Sequence, residues 1–183
     1  MKKANVQVMI FPTQENEKPY EKVLALGKEF ARQYHLPAPQ KLIHVPYQKP
    51  WFEQGSVNFS VSHSGDYWVC ALGDVPLGVD IQKHKPCNTE LIARRFYHPD
   101  EAVWVREKPI TDFFKIWTAK ESYVKLTGEG ITDDFSSFTV INAHGRIETC
   151  NNMFLQHVTF EEGYSLCLCT NLPAHITVIF KTG

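Results

Sequence analysis

The spacing of apolar residues predicts one helix among short strands over the first 75 positions. Residues 6–11 have the pattern of a strand, which Pro12 ends. Apolar side chains recur every three or four positions over residues 20–34 and predict a helix, which the prolines after it end. Further strands are predicted at residues 42–45, 57–62 and 67–72, with a turn cluster at residues 62–66.

The second part of the chain has more helical patterns. After a predicted strand at residues 77–82, Asn88 can cap a short helix, and Pro99 opens another that reaches residue 107. Thr111 is the predicted cap of a long helix that ends at Gly128. Strands are predicted at residues 135–142, 146–149, 154–160, 164–170 and 176–180, with a hairpin turn at His144 and Gly145.

The order of strand, helix and strands recurs after residue 76 and predicts an α+β fold of two related halves. We place these halves at residues 1–75 and 76–183, with the first half shortened. Together they are expected to form one compact unit.

Composition narrows the class of protein. The formal net charge of −1 argues against bulk nucleic-acid binding. No run approaches the roughly 18 apolar residues of a membrane span, and the first residues lack the pattern of a secretory signal. Five cysteines without a C-x-x-C pair favour free thiols, with Cys167 and Cys169 in the core. We expect a soluble, cytoplasmic protein without a membrane partner.

Charged residues stand in segments where burial is expected. Asp80 lies inside an apolar run, and a buried charge is costly unless it is paired, hydrogen-bonded or bound to a metal. A strand-end aspartate bonded to backbone amides explains this position as well as a functional site does. Glu121 and Lys125 share a helix face, where an ordinary surface pair contributes roughly 0.2–0.5 kcal/mol. The large apolar residues around them favour a functional cleft.

If these side chains lie close together in the folded protein, they suggest a site for a metal ion and phosphate groups. Two carboxylates from distant segments can hold Mg²⁺, which typically takes one or two carboxylates plus substrate phosphates. Nearby lysines would neutralise a leaving phosphate. Ser62, His63 and Ser64, in the predicted turn cluster, are candidates to bind another phosphate.

Three motifs together resemble those of the 4′-phosphopantetheinyl transferases, specifically the larger, pseudo-dimeric type. The motifs are VNFSVSHSG at residues 57–65, LGVDI at 77–81 and WTAKESYVKLTGEG at 117–130. The resemblance covers roughly residues 40–180. It implies two similar α+β halves with the site between them. It also implies transfer of the phosphopantetheine arm of coenzyme A to a serine of an apo acyl or peptidyl carrier protein, releasing 3′,5′-ADP.

The resemblance also implies roles for single residues. Asp80 and Glu121 would bind Mg²⁺, and Glu121 would help to deprotonate the carrier serine. Lys125 would stabilise or protonate the leaving phosphate. The remaining residues would bind coenzyme A: Lys120 at the phosphates, Ser62 and His63 at the nucleotide's phosphates, and Lys49 near the adenine and 3′-phosphate.

Two departures from the family pattern are visible. The metal strand of the family usually ends in Asp-Ile-Glu, whereas here Gln82 follows Asp80 and Ile81. A glutamine can ligate through its amide oxygen but brings no charge, so a lower Mg²⁺ affinity or a water in its place is expected. The first half also lacks the basic segment that usually precedes its helix, which predicts weaker or rearranged nucleotide binding.

Two alternatives to a transferase stay open at this point. One is a non-catalytic protein that retains the fold and binds coenzyme A or a carrier protein. The other is a structural α+β protein whose charges form ordinary ion pairs. A monomer is expected in each case, because two halves in one chain already build one cleft.

Overall fold

The computed structural model describes residues 3–14, 19–46, 48–106, 109–128 and 133–181, which form an α+β fold. The helices are α1 (Pro19–Gln33), α2 (Thr89–Phe96), α3 (Pro99–Val105) and α4 (Ile110–Thr127). The strands are β1 (Ala4–Pro12), β2 (Lys41–Ile43), β3 (Trp51–Glu53), β4 (Asn58–Ser64), β5 (Tyr67–Gly73), β6 (Leu77–Lys83), β7 (Thr149–Cys150), β8 (Met153–His157), β9 (Tyr164–Thr170) and β10 (Ala174–Phe180).

Two four-stranded sheets have related strand orders. The first has the order β10-β1-β5-β4, and the second has the order β6-β9-β8-β7. In each, an opening strand pairs antiparallel with the second strand of a later hairpin. The predicted division at residue 75 stays a prediction, and β10 from the second part pairs in parallel with β1.

The sheets pack face to face and the helices cover their outer faces. Val8 and Ile10 of β1 meet Val79 and Ile81 of β6 in the central core, where burial removes apolar surface from water. Helix α1 covers the first sheet and α4 covers the second. All five cysteines are free, as predicted, and Cys167 and Cys169 are buried beneath α4.

Most predicted elements are confirmed with bounds shifted by a few residues. Asn88 caps α2, where its side chain accepts the N–H of Leu91, and Gly128 ends α4 with a left-handed φ of 78°. The predicted cap at Thr111 is wrong. The cap position is Pro109, whose carbonyl accepts the N–H of Asp112, so α4 begins two residues earlier than predicted.

The strand predicted at residues 135–142 is also wrong. This segment begins with a 3₁₀ turn at Asp133–Ser136, and buried side chains bond its backbone groups. The carbonyls of Phe135 and Phe138 accept from Lys120, and the N–H of Val140 donates to Glu101. Since these groups have partners, no neighbouring strand is needed.

Smaller differences occur elsewhere. Residues 146–149 contribute only the start of β7, and β3 forms where no strand was predicted. Residues 62–64 belong to β4, so the turn itself is limited to Gly65 and Asp66. Position 107 and positions 129–130 of the third motif lie outside the described residues. Among the helices described, none is both long and apolar enough to cross a membrane.

Candidate active site

A close contact between β6 and α4 builds the site. A methyl group on Gly78 would lie 2.0 Å from the carbonyl oxygen of Ser122 and 2.5 Å from the nitrogen of Leu126. Only glycine permits this approach of the helix backbone to the strand. Side chains alternate along a strand, so Gly78 and Asp80 share the face directed at α4. Lys125 of the helix therefore lies beside Asp80.

Asp80 is buried and has two strong hydrogen-bond donors. Lys125 Nζ and Ser62 Oγ each lie 2.7 Å from Asp80 Oδ1. Burial raises the pKa of Asp80, while Lys125 and the hydrogen bonds oppose that rise. Lys125 keeps 30% of its side chain exposed, so the residue that pairs with the carboxylate is also accessible to solvent.

Glu121 lies one helical turn before Lys125 and is 6% exposed. Among the described residues, no hydrogen bond reaches its carboxylate. Burial, with the nearby charge of Asp80, raises the pKa of Glu121 to about 7, and Lys125 opposes this rise. Two carboxylates that disfavour each other's ionisation form a site that a cation would stabilise.

The donor set suits a hard divalent cation. Asp80 and Glu121 supply carboxylate oxygens, and Gln82, two positions along β6, has an amide oxygen. The Gln82 amide nitrogen donates to the carbonyl of Lys83 at 3.2 Å. No group of three or more His, Cys, Asp and Glu side chains placed to hold a metal was found in the described part of the chain. The candidate set consists of two carboxylates and one amide.

A cleft of about 280 Å³ opens beside these residues. Glu121 and Lys125 line one side, and Lys49 with Tyr20 lines another. Lys49 Nζ donates to the carbonyl of Leu77 at 2.8 Å, and burial lowers the pKa of Lys49 to about 8. A second cavity of about 380 Å³ shares Lys49, Pro50 and Phe59 with the cleft.

The structure separates the two predicted phosphate ligands on β4. Ser62 is buried, and its hydroxyl donates to Asp80 and accepts the N–H of Ile81 at 3.3 Å. His63 is exposed on the opposite face of the strand. The phosphate roles stay predictions of the resemblance, and of the two only His63 is exposed to solvent.

Lys120 does not face the cleft. It is fully buried with Glu101, whose Oε2 lies 2.9 Å from Lys120 Nζ. Its other two donors bond the carbonyls of Phe135 and Phe138 at 2.7 and 2.6 Å. Because an ammonium has three donors, this set leaves none for a phosphate. Its phosphate role stays a prediction of the resemblance, and this geometry disfavours it.

Sequence reasoning missed Glu101 and Tyr20. Glu101 is the third residue of α3 and bonds the N–H of His98 in a capping box. The spacing of His98 and Glu101 is a recognisable signal of that box, but nothing in it predicts a buried lysine partner. Tyr20 was recognised only as the first residue of a predicted helix, and nothing in the sequence indicated that it lines the cleft.

Comparison with known proteins supplies the family. Residues 76–170 match the family model described as the 4′-phosphopantetheinyl transferase superfamily. The chain belongs to this superfamily. The match begins just before β6 and ends with β9, so it includes Asp80, Glu121 and Lys125.

Curated relatives agree with the family model. The chain is 32% identical over 143 residues to 4′-phosphopantetheinyl transferase gsp of Aneurinibacillus migulanus, covering 72% of this chain and 58% of that protein. It is 33% identical over 161 residues to 4′-phosphopantetheinyl transferase psf-1 of Bacillus pumilus, covering 80% and 69%. Identity to 4′-phosphopantetheinyl transferase Sfp of Bacillus subtilis (strain 168) is 27% over 164 residues, covering 81% and 73%. The chain thus spans 58–73% of the length of these relatives.

Proposed function

We propose that this protein transfers the 4′-phosphopantetheine group of coenzyme A to a serine of an apo carrier protein, releasing 3′,5′-ADP. The observation that supports it best is that Glu121 and Lys125 line one cleft while Lys125 pairs with the buried carboxylate of Asp80, in a chain of this superfamily. A charge set of this kind suits the transfer of a phosphoryl-linked group, where charge builds on the leaving phosphate.

We propose that Asp80 and Glu121 would bind Mg²⁺, with Gln82 contributing its oxygen directly or through water. Bound Mg²⁺ would neutralise pyrophosphate charge and orient the phosphates for in-line displacement. Glu121, once ionised, would accept the proton of the carrier serine. Lys125 would move from Asp80 towards the leaving phosphate, which its partial exposure permits.

Coenzyme A would occupy the cleft and the cavity that adjoins it. Lys49 lies at their shared wall, which suits a long ligand that needs a cation part-way along its length. His63 would supply a further contact to the nucleotide's phosphates. We also propose a monomer in the cytoplasm, in keeping with five free thiols.

Two substitutions in the cation site test this proposal. The rate of phosphopantetheine transfer to several apo carrier proteins would be followed by intact mass spectrometry at varied Mg²⁺. Glu121→Gln should lower the rate by at least about 100-fold, because it removes both a ligand and the base. Gln82→Glu should preserve or raise the rate and lower the Mg²⁺ requirement. Equal rates for wild type and Glu121→Gln would contradict the proposed roles.

A non-catalytic binding protein is the second candidate. Gln82 favours it, because one carboxylate usual in the family is absent and the amide is bonded to its own strand. Calorimetry that detects coenzyme A binding, with no mass gain on any carrier, would favour this candidate over the transferase.

A further inference from the structure

Three serines on β4 bond the free edge of β6. Ser60, Ser62 and Ser64 occupy alternate positions and therefore share one face of β4. Their hydroxyls accept the backbone N–H groups of Val79, Ile81 and Lys83 at 3.1, 3.3 and 3.0 Å respectively. Since β6 is an edge strand, these serines satisfy donors that have no strand partner in the described part of the chain.

Ser62 differs from its two neighbours by one bond. Its hydroxyl also donates to Asp80 Oδ1 at 2.7 Å, a distance typical of a charge-assisted bond. The three serines are similarly buried, with exposures of 6%, 7% and 8%. The strand therefore offers two close internal comparisons for Ser62.

We propose that Ser62 is a positioning residue that orients the Asp80 carboxylate for the cation, an inference that rests on the proposed function. The Ile81 N–H holds the Ser62 oxygen, so the hydroxyl hydrogen is directed at Asp80. A neutral donor fixes the carboxylate without cancelling its charge, which leaves that charge for a cation. The phosphate contact that the family resemblance implies for Ser62 stays a prediction, and the bonds of its hydroxyl to Asp80 and Ile81 support the positioning role.

The position of Lys125 explains why a second donor is needed. Lys125 and Ser62 share the oxygen Asp80 Oδ1. When Lys125, whose side chain is partly exposed, turns to a phosphate, Asp80 loses one of these donors. Buried Ser62 stays in place and keeps the carboxylate oriented. Outer partners of this kind typically change metal affinity by about 10–100-fold when removed.

The test compares the three serines through cation binding, without substrates. Mn²⁺ binding to the nucleotide-free protein would be followed by electron paramagnetic resonance. Ser62→Ala should weaken binding by about 10–100-fold, whereas Ser60→Ala and Ser64→Ala should stay within about twofold of wild type. Ser62→Thr, which retains the hydroxyl and suits a strand, should restore most of the affinity. Urea midpoints should fall in all three alanine variants, because each loses one partner of a backbone N–H, and they should fall furthest in Ser62→Ala, which also loses the bond to Asp80.

Several results would overturn the inference. They are equal affinities in the three alanine variants, a Ser62→Thr variant as weak as Ser62→Ala, and a wild-type protein that binds no Mn²⁺. Carrier modification by the wild-type protein is measured separately. If the wild-type protein modifies the carrier but Ser62→Ala binds Mn²⁺ as tightly as wild type, only this inference is wrong. If the wild-type protein does not modify any carrier, the result counts against the proposed function.

Discussion

At the scale of single residues, the site is defined by charges that are placed at an energetic cost. Glu121 has a buried carboxylate that no hydrogen bond reaches among the described residues, and Asp80 lies beside it. Lys49 is half-buried, and its ammonium donates to a carbonyl oxygen. The pKa values of Glu121 and Lys49 are therefore shifted from their ordinary values. The shift at Glu121 predicts that stability depends on pH, and the shift at Lys49 predicts that nucleotide affinity does.

In the absence of a divalent cation, ionisation of Glu121 should lower the stability of the folded protein as pH rises. Its pKa is raised from 4.5 to about 7 in the folded protein, so the folded state binds more protons than the unfolded state in that window. The free energy of unfolding should fall between pH 4.5 and 7, by on the order of 3 kcal/mol. Urea unfolding in chelator should show Glu121→Gln becoming more stable than wild type as pH rises. Parallel pH profiles would contradict the raised pKa.

Lys49 should control nucleotide affinity above neutral pH. Burial lowers its pKa to about 8, so its charge is lost as pH rises through that value. We expect 3′,5′-ADP binding, measured by calorimetry, to weaken above pH 8. Lys49→Met should weaken it about tenfold or more at pH 7, since hydrogen bonds to charged groups contribute roughly 1.5–3 kcal/mol. Exposed Lys41 on β2 is the control, and equal losses in Lys41→Met would contradict a specific role.

At the scale of elements, the contact between β6 and α4 sets the geometry. Gly78→Ala should force the helix away from the strand, because the added carbon meets backbone atoms at 2.0 and 2.5 Å. We expect a loss of about 1–3 kcal/mol or more in urea unfolding, together with weaker Mn²⁺ binding. Gly27→Ala is crowded at 2.6 Å by the Phe52 ring, which can turn aside, so it should leave Mn²⁺ affinity unchanged. A Gly78→Ala protein with wild-type stability would refute the close contact.

The ion pair between Lys120 and Glu101 joins α4, α3 and the segment after α4. Removing one partner of a buried pair typically costs about 3–5 kcal/mol. Lys120→Met and Glu101→Gln should therefore both lower the urea midpoint, while the fraction that stays folded binds 3′,5′-ADP with unchanged affinity. Loss of 3′,5′-ADP affinity at an unchanged midpoint would instead support the phosphate role that the resemblance implies for Lys120.

Elements with a clear local pattern could be predicted from the sequence. The apolar run of β1, the apolar alternation of β6 and the glycine end of α4 are local signals, and these three elements were confirmed. The segment at residues 135–142 could not be predicted, because its backbone partners are side chains on two distant helices. The same holds for Ser62, whose bond to Asp80 depends on how β4 meets β6.

At the scale of the whole molecule, the packing of two sheets brings the site together. Asp80 comes from the second sheet, Ser62 from the first, and Glu121 from a helix on the outer face of the second. Each of the three motifs supplies one of these residues. The three motifs, in their order along the chain, predicted that these residues belong to one site, but they did not predict the bond between Ser62 and Asp80.

The central claim is transfer from coenzyme A to a carrier protein, and product analysis tests it most directly. Wild-type protein would be incubated with apo carrier proteins, coenzyme A and Mg²⁺, and the carrier mass and released 3′,5′-ADP would be quantified together. We predict a gain of one phosphopantetheine per carrier, an equal amount of 3′,5′-ADP, and loss of both products in chelator. Unchanged carrier masses at high protein concentration, across acyl and peptidyl carriers, would contradict the claim.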